Sequence, residues 1–320
     1  MIPMPRMFGL LLACSLLANA QNLTRPQFKL TAESPAFWEL FAKNVQLEKI
    51  AGGFGFTEGP VWDPRGFLYV SDEEKNRLLR VYPGGHVETV LEIGDPDGST
   101  LDAQGRLVTT ASVLRAIIRV DPDGKYQVLA DKYTGKKFNS PNDIILGPDG
   151  ALYFTDPTLD LPKGQKQELP YQGVYRLGTD GSVRLLTTDL AQPNGLAFSP
   201  DGKRLYIDDT ERHEIRVYGV GSHGELNDGR LFGKEEGRDG VPDGMRVDVK
   251  GNVFVTGPGG IWVWDPEGNH LGTILLPESA ANLNWGNADY RSLYITAGTS
   301  VYRLKSTTRG FVPGQGRPNK

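Results

Sequence analysis

One fifteen-residue unit occurs six times along this chain, and that repetition limits its folds more than any other feature. The copies are EGPVWDPRGFLYVSD (58–72), DGSTLDAQGRLVTTA (97–111), NDIILGPDGALYFTD (142–156), NGLAFSPDGKRLYID (194–208), DGMRVDVKGNVFVTG (243–257) and NLNWGNADYRSLYIT (282–296). Each is an apolar strand, a tight turn and a second apolar strand. Five carry glycine at the ninth position (Gly66, Gly105, Gly150, Gly202 and Gly251), and the sixth has Tyr290 there. Successive turns lie 39, 45, 52, 49 and 39 residues apart. A period of that size means a repeat architecture rather than a string of independent domains. A further strand pair follows most copies, as in RLLRVYPGGHVETVL and GVYRLGTDGSVRLLT. Four strands per period describe a propeller blade. The expected fold is therefore all-β: a six-bladed β-propeller with four-stranded antiparallel blades around a central channel.

The repeats place the propeller at 51–306, between an N-terminal segment (21–50) and a C-terminal tail (307–320). In the N-terminal segment, SPAFWELFAKN reads as a short helix with Ser34 as N-cap and Pro35 at the first helical position. The following VQLEKIAG is placed to pair with the last blade and close the ring. Residues 1–20 read as an export signal: MIPMPR carries a positive charge, MFGLLLACSLLA is an apolar core, and Ala18-Asn19-Ala20 is a small-x-small cleavage site. The apolar run is too short to span a bilayer, so the mature chain is expected in the periplasm or outside the cell. Lipidation at Cys14 is the weaker alternative. Cys14 is also the single cysteine, which excludes an internal disulfide and a thiolate metal site.

Charges of both signs are scattered along a chain of formal net charge −4. No clustered basic face points to nucleic acid. The expected partner is a small molecule, and the expected state is a monomer or small homo-oligomer without a transmembrane segment. The four histidines, His86, His213, His223 and His270, fall into no HxH or HxxxH pair. There is no GxSxG elbow, Walker sequence or GxGxxG after a strand.

Eight residues before each turn position stand Glu58, Asp97, Asn142, Asn194, Asp243 and Asn282. All six are carboxylates or carboxamides, at the start of the strand that should line the channel. Equivalent strand starts in a propeller form a ring at one channel mouth. Three carboxylates converging there repel one another unless a cation or protons intervene. Oxygen donors of mixed charge without His or Cys suit Ca²⁺ best, with Mg²⁺, Mn²⁺ and Zn²⁺ as alternatives. A plain set of Asx caps would account for one such residue. Six at one offset, differing in type around the ring, describe an asymmetric site.

The segments GFGFTEGPVW (53–62), SPNDI (140–144), QPNGLAFSPDGKRLYIDDT (192–210), VPDGMRVDVKGNVFV (241–255) and NLNWGNADYRSLYITA (282–297) resemble, in this order, motifs of the senescence-marker-protein/gluconolactonase family. Its members are calcium-dependent six-bladed propeller lactonases, and the resemblance covers nearly all of the mature chain. It implies that Glu58, Asn194 and Asp243 bind metal, that Asp243 is also the acid/base, and that Asn142 contacts substrate and, in some members, the metal. Asp97, Asn282 and Ser140 are further candidates for substrate contact. Ser140 stands where some members have an arginine that binds the sugar lactone. TTASVLRAII (109–118) replaces a stretch that in bacterial gluconolactonases supplies a pocket histidine.

The expected activity is thus opening of a lactone ring, sugar lactone to aldonic acid, by a secreted metal-dependent hydrolase. Calcium would act as Lewis acid, and Asp243 would take a proton from water and return it to the ring oxygen. Two rivals use the same residues: a ligand-binding propeller with calcium as a structural plug, and an esterase or phosphotriesterase.

Overall fold

The strands of each repeat fold back on one another because their alternating residues can bury one face only by pairing with the next strand. In this computed structural model, which describes residues 27–237 and 240–313, the result is six sheets arranged as blades. Residues 1–20, the expected export signal, and Cys14 among them lie outside the described residues. Blade one consists of Thr57–Asp63, Phe67–Asp72, Arg77–Val81 and Val87–Glu92, each antiparallel to the next. Blades two to five begin at Pro96, Ile144, Pro193 and Met245, and repeat the same four-strand meander. The expected six-bladed all-β propeller is the observed fold.

The turn glycines have a backbone reason. Gly66, Gly105, Gly150, Gly202 and Gly251 sit at φ between 71° and 105°, where a side chain is disfavoured. Tyr290 adopts the same left-handed region at φ 50°. Its ring is buried beneath the Arg309 guanidinium, 5.6 Å from the centroid, and its carbonyl accepts from Gly310.

The last blade joins a strand from the N-terminal segment to the last three strands of the chain. Ala280–Gly286, Ser292–Ala297 and Ser300–Lys305 are completed by Leu47–Gly52, antiparallel to Ser300–Lys305. Blade five gains a fifth strand, Lys29–Ala32, on its outer edge, which the repeat pattern gave no reason to expect. Over SPAFWELFAKN the structure has a single 3₁₀ turn, Pro35–Glu39, capped by Ser34, whose hydroxyl accepts from the Ala36 N–H. It stops early because Phe37, Leu40 and Phe41 all turn into the core beside blades five and six. Trp62 stacks on Tyr294 at 5.5 Å across the blade-one/blade-six junction, and sheet-on-sheet contacts of this kind form the core.

Residues 308–313 cross the channel at the end opposite the strand starts. Phe311 donates its N–H to the Val247 carbonyl, and Thr308 its hydroxyl to Asp248. Above Phe311, Val312 and Pro313 remains a cavity of about 110 Å³, walled by Val61, Thr100, Ile145, Ala197, Arg246 and Asn284.

Candidate functional site

All six strand-start residues lie at the same end of the channel. Glu58, Asp97, Asn142, Asn194 and Asn282 are buried, and Asp243 is partly exposed. The Asn142 amide donates to Asp97 at 2.6 Å, and the Asn194 amide donates to the Thr210 hydroxyl at 3.2 Å. With both amide nitrogens engaged, the carbonyl oxygens are the atoms a cation could use. Glu58 accepts from the Gly59 N–H through Oε2, while Oε1 is buried and has no hydrogen-bond partner among the described residues. An orphaned buried carboxylate oxygen is costly, and this one belongs to the ring.

Two local devices fix the ring. Asp72, Asp156 and Asp209, which end the second strands of blades one, three and four, accept from the N–H of Gly55, Asn139 and Ala191. Each of those residues stands three positions before its ring residue (Glu58, Asn142, Asn194), so one carboxylate per blade clamps the incoming chain. The second device is close approach. A Cβ on Gly195 would come 2.1 Å from the Asp243 carbonyl, and one on Gly59 would come 2.1 Å from that of Asp97. We expect Gly195→Ala to shift Asp243 and to cost about 1–3 kcal/mol, as overpacking usually does. A melting temperature within a degree of the parent would contradict this.

The ring is acidic and, apart from Asp243, buried. Burial, and then the Asp243 charge, push Glu58 well above the usual carboxylate range. Asp97 is raised by burial and by Glu73, Glu58 and Asp160. Asp243 is pushed up to about 8 by burial, Asp160 and Asp143, against a hydrogen bond from Asn194. Oxygen donors held in this state fit a divalent cation, which would replace the missing positive charge.

Four acidic residues enter the site that the strand-start pattern does not contain. Asp160 comes from the insertion 157–172 and reaches the Asn142 amide at 3.3 Å. Ser140 faces this insertion: its hydroxyl donates to the Pro157 carbonyl at 2.8 Å and accepts from the Asp160 N–H at 3.1 Å. Glu73, just past the second strand of blade one, is raised by burial and by Glu58 and Asp160. Neither Asp160 nor Glu73 occupies a repeat position, so no sequence signal marks them. Asp208 is hidden for another reason: in the repeat it stands level with Asp72 and Asp156, and only the strand pairing shifts it by one, to the place that Ser71, Thr110, Thr155, Thr256 and Thr296 hold in the other blades. Hydroxyls there hold the next blade's carbonyls, as Ser71 holds Asp97 and Thr110 holds Asn142. Asp208 instead accepts from Gly195 N–H and is driven up by burial and Asp243.

The fourth, Asp143, follows Asn142 where blades one, two, four and five have glycine. It lies below the ring, 3.6 Å from the buried Arg246 guanidinium, so adjacent residues serve two levels of the channel: the amide faces the mouth and the carboxylate faces an internal cation.

Residues 56–299 match the model of the SMP-30/Gluconolactonase/LRE-like region. The chain is 35% identical over 311 residues to the gluconolactonase of Zymomonas mobilis, covering 88% of this chain and 87% of that one. It is 31% identical to the pentonolactonase XacC of Haloferax volcanii over 75% of this chain and 80% of the other. Among solved structures, a gluconolactonase from Xanthomonas campestris superposes with a TM-score of 0.81 at 35% identity, covering 87% of this chain and 94% of that one. With the six-blade ring, its mixed carboxylate and amide donors and these matches, the chain belongs to the SMP-30/gluconolactonase family.

Proposed function

We propose that this protein is a calcium-dependent lactonase acting on sugar lactones, exported by residues 1–20. The observation that carries the reading is the pairing at one channel mouth of Glu58, with a buried oxygen that has no hydrogen-bond partner among the described residues, and Asp243, amid the amides of Asn142 and Asn194. The lactonases among its relatives support the substrate class.

Glu58, Asn142, Asn194 and Asp243 would hold the ion. A calcium ion there would polarise the lactone carbonyl and hold Asp243 ionised. Asp243 then accepts a proton from the attacking water and delivers it to the ring oxygen as the ester bond opens. Asn142, fixed by Asp97, orients the substrate. Asp160 presents a carboxylate over the ring, an acceptor suited to sugar hydroxyls, and the insertion that carries it limits water at the site.

The test is a panel of sugar, aliphatic and aromatic lactones, with a simple ester and a phosphotriester, assayed after chelation and again with calcium. We expect glucono-δ-lactone to be hydrolysed only when the ion is restored. Hydrolysis of the phosphotriester alone, or of nothing, would overturn the reading.

A further inference from the structure

We propose that Arg115 is a positioning residue that clamps the 157–172 insertion over the channel mouth and so sets where Asp160 stands relative to the ring. Arg115 belongs to the turn between the second and third strands of blade two. At the matching left-handed position, blade one has Asn76 at φ 55° and blade four has His213 at φ 55°; Arg115 is at φ 57°. Asparagine is favoured in that conformation and arginine is not. The unusual choice directs a long cation inward instead of into solvent.

Only 3% of Arg115 is exposed. Nε donates to the Phe138 carbonyl at 2.5 Å, and Nη1 donates to Gln165 at 3.1 Å and lies 3.5 Å from Glu168. One guanidinium therefore joins three segments: the blade-two turn, the chain leading to Asn142, and the insertion. Glu168 also accepts from the Lys137 N–H at 3.0 Å, which doubles the link between the second and third of these. Leu169 anchors the far end of the insertion in the core beside Phe138. At its near end Ser140 holds the Asp160 backbone and Asn142 its carboxylate. Between those anchors, Lys163 to Glu168 are exposed, and Arg115 is the buried group that ties them down. Loss of this tie should free the insertion and blur the place of Asp160, while Glu58, Asn194 and Asp243, which lie on other blades, stay in position.

The consequence for substrate rests on the lactonase reading; the clamp itself does not. Two variants test it: Arg115→Met, and Gln165→Ala/Glu168→Ala, which removes the exposed half of the clamp and keeps the protein folded if the buried substitution does not. Glucono-δ-lactone kinetics, calcium titration and trypsin cleavage after Lys163 and Lys166 are measured on each. Segments that open locally are cut in proportion to their open population, so we expect cleavage to rise about 10-fold or more. In the double variant, which keeps the Arg115–Phe138 link to the chain of Asn142, KM should rise about 5- to 20-fold, with kcat and calcium affinity within about 2-fold, as for loss of a closing segment that binds the substrate. Unchanged cleavage and KM in the double variant would overturn the proposal. So would a parallel collapse of calcium affinity, which would make the clamp a support of the ring. If the parent hydrolyses no lactone, the lactonase reading fails, and the cleavage rates still decide the clamp.

Discussion

Asp243→Asn is expected to lose most lactone turnover, about 10²–10⁴-fold by the usual worth of a positioned base. The substitution keeps the size of the side chain and one oxygen donor while removing a negative charge and the capacity to take a proton. Asp243 is suited to that role because, among the ring carboxylates, it is the one partly open to the mouth. The variant should still bind calcium, more weakly, through Glu58, Asn142 and Asn194. Glu58→Gln should behave differently. Glu58 lies buried against the Gly59 N–H and away from solvent, so its loss should act through metal affinity, and excess calcium should restore part of the activity. Near-parental rates for Asp243→Asn at high calcium would mean that Asp243 is a ligand only. Asp97 would be the next base to test, although its contact with Asn142 leaves it less free.

Chelation should lower the melting temperature, and by an amount that grows with pH. In the metal-free protein, burial and neighbouring carboxylates raise Glu58, Asp97 and Asp243, the last from 3.8 to about 8. Between those two values the folded protein holds more protons than the unfolded chain, so metal-free stability falls as pH rises through that window. A cation competes for the same oxygens, so calcium affinity should rise over the same range. At about 100 times its Kd, calcium adds about 2.7 kcal/mol. Differential scanning calorimetry at pH 5 and pH 8, with and without the ion, reads both effects. A calcium-independent melting curve at pH 8, after verified removal of metal, would remove the ring as a cation site.

Much of this molecule could be read from its residues. The six copies, with five turn glycines, set the blade number and sheet class. The constant offset from the turn found Glu58, Asp97, Asn142, Asn194, Asp243 and Asn282, because a propeller carries equivalent positions to equivalent places. The same reasoning fails wherever a residue has no equivalent. Asp160 lies in an insertion and reaches Asn142 only because Ser140 and Arg115 hold that insertion down. Lys29–Ala32 joins blade five through backbone hydrogen bonds that any short polar-apolar stretch can make. The 3₁₀ turn at Pro35–Glu39 is short because Phe37, Leu40 and Phe41 are drawn into a core their own segment does not contain. Asp143 and Arg246 are 103 residues apart in the chain and meet at 3.6 Å only inside the channel. Local spacing determined the ring, since it is a property of each repeat. What surrounds the ring was decided by tertiary contacts between unlike segments, and no period records those.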